Sequence, residues 1–350
     1  MPAVIGCDAH KHFSVFVAID SKGKTAAPVR VEHHRQEYVD FLHTLPPGSE
    51  IAVESTGHWY WMVDEMEKAG HRPHLANPSE AKKRMGGSNK TDALDAKGLA
   101  ILLHNGTLPE SWIPPGELRD RRELLRTRMA LRDLRSSLKH RIHAAIDRYG
   151  LQATGISDLF GVKGRVYIDR TLDELPCDTA AMVRIQLTSL DQLEAQVEEI
   201  EDRIAVALKP SPDVQLLRTV PGIGQILAPL VWLEIGDVDR FPRAENLASY
   251  AGLVPRIIAS GGRIRHGGVC RNVNQYLKWG FVEAATCVVR LKNYRDSHVG
   301  QLYHRLAPGK GHGRATVAVA RHLAEASYWV LRKRQPYKAP GPRSIASDAA

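Results

Sequence analysis

Four acidic residues carry the first chemical signal. Asp8 sits in the β-type run AVIGCDAH, where a period of two puts it on the face of Val4 and Gly6. Glu54 ends a later apolar run, Ile51-Ala52-Val53. In NKTDALDAKGLA, Thr91 is placed to cap a helix whose Asp92 and Asp95, three residues apart, share one face. Taken singly, Asp92 suits the positive end of a helix dipole and Asp95 a solvated surface. Acids inside strands are less easily explained, and two of them can meet a helical D-x-x-D at one edge of a sheet. Such a group suits Mg²⁺, which prefers carboxylate oxygens and retained water, and a pair of such ions can hold the attacking and leaving oxygens of a phosphodiester. The combination points to a metal site of the ribonuclease-H type.

The C-terminal half offers different chemistry. Between Val254 and Val282 lie five basic residues, Arg256, Arg263, Arg265, Arg271 and Lys278, and no acid, a balance that suits phosphate contact. Ser260 falls in this stretch before Gly261 and Gly262, so backbone there can approach a ligand closely, although Ser-Gly-Gly is also an ordinary loop sequence. A serine hydroxyl attacks well only if its proton is removed or the developing charge is stabilised, and Arg256, Arg263 and Arg265 are placed in sequence to stabilise charge. Tyr250 is the rival nucleophile, but its SYAGL setting reads as core packing. Upstream, TVPGIGQILA has the form of a helix-hairpin-helix turn, in which backbone N–H groups around Gly222 and Gly224 meet a phosphate; a plain capping turn has the same form. Tyr303 to Lys338 is again basic, with eight Lys or Arg against Glu325. Its His304, His312 and His322 match no metal-ligand spacing and are expected to face solvent or phosphate.

The elements that must position these groups follow from pattern. AVIGCDAH and HFSVFVAID are strands ahead of a turn at SKGK; EYVDFLHTL and WYWMVDEMEKAG have helical spacing around the strand SEIAVEST. This predicts an α/β domain over 1–112, ended by Pro114 and Pro115. Residues 113–209 are expected to be helical. One helix runs from Glu117 to Tyr149, with ten Lys or Arg and five acids between Ile113 and Gly150. It is either a solvated helix or a ridge for nucleic acid, with Arg126, Arg132 and Arg135 as candidate contacts. A second helix, from about Ala180 to Leu208, carries Leu190, Leu193, Val197, Ile200, Ile204 and Ala207 in a heptad seam. That seam suits either packing within the chain or an exposed coiled-coil arm. Residues 210–338 form a mostly helical basic domain, and the tail 339–350 is small, polar and expected to be disordered.

Composition narrows the function classes. The 350 residues carry 48 Lys and Arg against 39 Asp and Glu, a net charge of +9 that favours a polyanionic partner. No apolar run is long enough to span a bilayer, and the N-terminus has no secretion-signal pattern. Cys7, Cys177, Cys270 and Cys287 form no C-x-x-C pair, which fits a reduced, cytoplasmic protein.

In order along the chain, IGCDAHK, AVESTGHW, KTDALDAK, VPGIG, LASYAGLVP and SGG resemble the DEDD transposases of the insertion-sequence family usually called IS one-ten, which includes the pilin-gene-inverting recombinases. The resemblance covers nearly the whole chain. It implies a RuvC-like domain in which Asp8, Glu54, Asp92 and Asp95 hold Mg²⁺, and a transposase domain in which Ser260 is the nucleophile. It also implies donor and target DNA, a structured noncoding guide RNA from the same element, and a homodimer or homotetramer. Three other readings stand beside it: a RuvC-like structure-specific nuclease without a covalent intermediate, an actin-like or sugar-kinase ATPase, which would need a second phosphate loop in the C-terminal half, and a non-catalytic nucleic-acid scaffold, which leaves the four acids unexplained.

Overall fold

A computed structural model describes residues 2–20, 22–86, 91–208, 211–260, 263–269 and 273–339. Arg271, the two glycines after Ser260 and all but the first residue of the expected disordered tail lie outside the described residues. The chain divides into two compact units, Met1–Gly116 and Glu117–Ala350.

In the first unit, alternating apolar residues build a six-stranded mixed sheet. β1 (Val4–Ala9), β2 (Phe13–Ile19) and β3 (Val29–Glu32) form an antiparallel meander. A helix, α1 (Arg35–Thr44), leads to β4 (Glu50–Glu54), and α2 (Trp59–Lys68) leads to β5 (Arg72–Ala76); β4 lies parallel to β1, and β5 parallel to β4. After α3 (Pro78–Met85) and α4 (Asp92–His104), the short β6 (Glu110–Ser111) pairs antiparallel with β5. The order across the sheet is β3-β2-β1-β4-β5-β6, a mixed α/β arrangement consistent with a RuvC-like domain.

The pleat sorts this sheet into two faces. Ile5, Cys7, Ile51, Val53 and Leu75 point to one side and pack with Tyr38, Leu42, Met62 and Met66 of α1 and α2. Val4, Ala52 and Ala76 point to the other and meet Ala81, Leu99, Leu102 and Leu103 of α3 and α4. Gly6 is central to the second face: a Cβ there would lie 1.9 Å from the carbonyl oxygen of Ala96, so only glycine lets α4 lie directly on β1.

The second unit is mainly helical. Its first part contains α5 (Gly116–Asp147), α6 (Val162–Thr171) and α7 (Cys177–Ala207). Ion pairs Arg128–Glu201 and Lys139–Glu194 show α5 and α7 running antiparallel. The heptad positions Leu190, Val197 and Ile204 are buried. Leu190 packs with Ile142 and Ile146, and Ile204 with Leu125, so the seam is covered by α5 of the same chain. The rest comprises α8 (Pro212–Leu217), α9 (Leu227–Ile235), α10 (Ala244–Tyr250), the hairpin β7 (Pro255–Ser260) and β8 (Arg263–Val269), α11 (Gln275–Arg290), α12 (His298–Lys310) and α13 (His312–Lys333). Leu247, Leu277, Phe281, Val319 and Leu323 anchor its core. The antiparallel hairpin adds strand to a domain expected to be mostly helical: Arg-Ile-Ile-Ala-Ser and Arg-Ile-Arg are β-branched enough to pair, with Ser260 opposite Arg263 at the tip.

Candidate active site

The acids of the first unit come together because of strand register and the close seating of α4. Cys7 pairs with Val53 in the parallel β1–β4 ladder, so the next residues, Asp8 and Glu54, end neighbouring strands on the same face. That is the face on which Gly6 admits α4. Thr91 caps this helix through its hydroxyl, which accepts from the Leu94 N–H at 3.3 Å. Asp92 and Asp95 therefore occupy the first turn, next to the C-terminal ends of the two strands.

A histidine completes the cluster. His10 Nε2 lies 3.2 Å from Asp8 Oδ2 and 3.3 Å from Asp92 Oδ1. The three side chains offer ligand atoms that all lie within 4.8 Å of one another. Asp8 Oδ2 and His10 Nε2 are both buried, yet neither completes a hydrogen bond among the described residues. Burial holds the Asp8 carboxyl above the usual carboxylate range; His10 opposes this, while Asp95 and Asp92 add to it by like-charge repulsion. A buried carboxylate oxygen and an imidazole nitrogen that complete no well-aligned hydrogen bond, set beside further carboxylates, are surroundings a divalent cation would suit. Glu54, half-buried at the end of β4, stands beside this group.

Comparison with known proteins places both units among transposases. The DEDD-type IS110 transposase model matches residues 5–151, which include all four acids, and the IS116/IS110/IS902 transposase family model matches residues 214–300, which include Ser260. The chain belongs to this transposase family. Among its relatives, the transposase of insertion element IS1111A from Coxiella burnetii is 26% identical over 340 residues, covering 96% of this chain and 91% of the relative. A probable family 20 transposase from Pseudomonas aeruginosa is 26% identical over 88% of this chain and 90% of its own length. The pilin gene-inverting protein of Moraxella bovis is 28% identical over 148 residues, 40% of this chain and 45% of its own.

In this IS110-family protein, the basic residues expected to meet nucleic acid fall into two groups. Arg126 and Arg132 are turned inward. Arg126 makes a bidentate pair with Glu234, at 2.9 and 3.1 Å, and lies over the Tyr276 ring. Glu234 is only 1% exposed, and its carboxylate also accepts from Asn274 Nδ2 at 2.8 Å. Arg122 donates to the backbone oxygens of Leu233 and Glu234. Arg132 pairs with Asp133 and lies 4.4 Å over Trp279. These arginines hold α5 to α9 and α11, a role that a helix read in isolation conceals. Arg135 and Lys278 are half-exposed, while Arg256, Arg263 and Arg265 are exposed on the hairpin.

The remaining expected positions also resolve into packing and exposure. Gly222 has φ +77°, and a Cβ there would come 2.2 Å from the Ala284 carbonyl oxygen, so α11 packing alone accounts for this glycine. Gly224 is exposed ahead of α9 with open space around it. Tyr250 is tied into the Glu234 network, its hydroxyl accepting from Asn274 Nδ2 at 3.2 Å while Arg240 lies over its ring. His322, expected at the surface, is instead partly buried against His298. His10 was the residue missed by pattern; its signal was the tight D-x-H spacing at the end of a strand.

Proposed function

We propose that the protein is a metal-dependent DNA strand transferase of an insertion sequence, acting through a covalent link to Ser260. The observation that carries this reading is the convergence of Asp8, His10 and Asp92 at the end of β1, where Asp8 Oδ2 and His10 Nε2 are buried without completing a hydrogen bond. Asp8, Glu54, Asp92 and Asp95 would hold divalent cations of the Mg²⁺ class. When bound, the metal supplies charge neutralisation and Lewis-acid polarisation of a phosphodiester. Asp8 and Glu54 fix the donors on a rigid sheet, and the α4 cap fixes Asp92 and Asp95.

Ser260 ends β7, opposite Arg263, on an arm whose Arg256 and Arg265 are exposed. Its Oγ would form a bond to phosphorus as the bond to one sugar oxygen breaks. The serine proton leaves, the departing sugar oxygen takes one up, and the phosphodiester energy is kept for rejoining. The exposed arginines stabilise the added charge. Donor and target DNA are the substrates, a structured RNA from the element is the guide, and dimers or tetramers are the working form.

Two described features weigh against the other readings. The second unit's described residues hold only a two-stranded sheet, not a second nucleotide-binding half. A nuclease without a covalent intermediate leaves the serine arm without a role. The experiment is capture on a nicked suicide DNA, with the adduct mapped by mass spectrometry. Wild type should attach at Ser260, Ser260→Ala should not, and Asp92→Asn should lose strand exchange to below detection while keeping its fold. An adduct on Tyr250, or full exchange by folded Asp92→Asn, would overturn the proposal.

A further inference from the structure

Resting on the metal-site reading above, we infer that His10 is itself a ligand, so that the site prefers a first-row divalent ion such as Mn²⁺ over Mg²⁺. The distances fit. Adjacent donors on an octahedral ion with bonds of about 2.1 Å stand about 3.0 Å apart. His10 Nε2 stands 3.2 Å from Asp8 Oδ2 and 3.3 Å from Asp92 Oδ1, close to two such edges meeting at the imidazole nitrogen. The Nε2–Oδ2 contact lies within ion-pair distance but is not aligned as a hydrogen bond, which leaves both atoms turned toward the cluster.

The imidazole is also held in place rather than free to swing. The His10 backbone N–H donates to the Phe13 carbonyl at 2.9 Å, closing the turn between β1 and β2 and so fixing the residue that carries the ring. Its ring packs on Phe13 with centroids 4.6 Å apart, and the Arg30 guanidinium also lies over that Phe13 ring, 3.5 Å from its centroid. Phe13 itself packs with Val15, Val17 and Ala96, which ties the ring to β2 and α4. A nitrogen donor fixed on the carboxylate cluster has a chemical consequence. Mg²⁺ is a hard ion that favours oxygen and water, whereas affinity for imidazole rises through the first-row series that begins at Mn²⁺. The four carboxylates of the tetrad can serve either ion; one imidazole discriminates between them.

The test uses the full chain with Mn²⁺ as probe. Pulsed electron paramagnetic resonance of the bound ion should show ¹⁴N modulation, and that modulation should vanish in His10→Asn. Competition between the two ions, read from the free Mn²⁺ signal, should show the preference for Mn²⁺ falling at least about tenfold in the same variant. Asp8→Asn should abolish Mn²⁺ binding in both proteins. If Mn²⁺ binds in an Asp8-dependent way without ¹⁴N modulation, the histidine inference fails and the metal-site reading stands. Binding that is indifferent to Asp8→Asn overturns both. The wild-type spectrum alone decides the ligand question should His10→Asn fail to fold.

Discussion

The two units handle charge in opposite ways. At the end of β1, the first unit gathers Asp8, Asp92 and Asp95 with one histidine, and leaves Asp8 Oδ2 and His10 Nε2 without hydrogen bonds. In the second, Glu234 is more deeply buried than any of these, yet Arg126 and Asn274 satisfy both its oxygens. The difference separates a site from a scaffold. Charges that have found their partners inside the fold hold helices together; like charges kept close with only one imidazole among them are what a bound cation would neutralise.

The largest effect should come from breaking the satisfied cluster. Glu234→Ala leaves Arg122, itself 5% exposed, and Arg126 without their common carboxylate, and removing one partner of a buried pair costs about 3–5 kcal/mol. Chemical denaturation should show that loss, with Glu234→Gln losing less because its amide oxygen still accepts. A stability change within experimental error would mean the network is not holding α5 to α9.

A smaller effect sharpens the comparison by moving the acidic cluster instead. Gly6→Ala forces α4 away from β1, since the new methyl would overlap the Ala96 carbonyl. Overpacking of this kind costs about 1–3 kcal/mol. Because the displacement also carries Asp92 from Asp8, Mn²⁺ affinity should fall while the unfolding of the second unit stays as in wild type. Unaltered ion binding in folded Gly6→Ala would show that the seating of α4 does not set the cluster.

The smallest effect is titratable. Burial holds the His322 imidazole below its usual range; His298 adds to this, and Glu325 opposes it. The folded state therefore resists protonation that the unfolded chain accepts. Stability from this group is intact above the unfolded value of about 6.5 and declines as pH falls through it toward the lower folded value. Melting temperature should drop between pH 7.5 and 5.5, and His322→Gln should shrink that drop. An equal drop in the variant would place the acid sensitivity elsewhere.

Much of the acidic cluster was legible because it depends on local periodicities. A period of two set the face of Asp8, the end of an apolar run marked Glu54, and Thr91 with D-x-x-D marked the start of α4, whose cap forms as the pattern requires. The helices expected at Glu117 to Tyr149 and Ala180 to Leu208 appear at Gly116–Asp147 and Cys177–Ala207. The hairpin bearing Ser260 was not legible, since its basic, glycine-rich stretch reads equally as loop.

The sequence by itself determined which groups are available, because spacing along one element fixes which side chains share a face. It placed Asp92 beside Asp95 and aligned the heptad positions of α7. Only the tertiary structure decided what those faces meet. Positive charge reads the same whether it points to solvent or to a buried carboxylate 108 residues away, as Arg126 does toward Glu234. His10 became part of the cluster only when β1 turned into β2 and Gly6 let α4 settle against them. Contacts of that range arise from sheet register and helix seating, which no local pattern encodes.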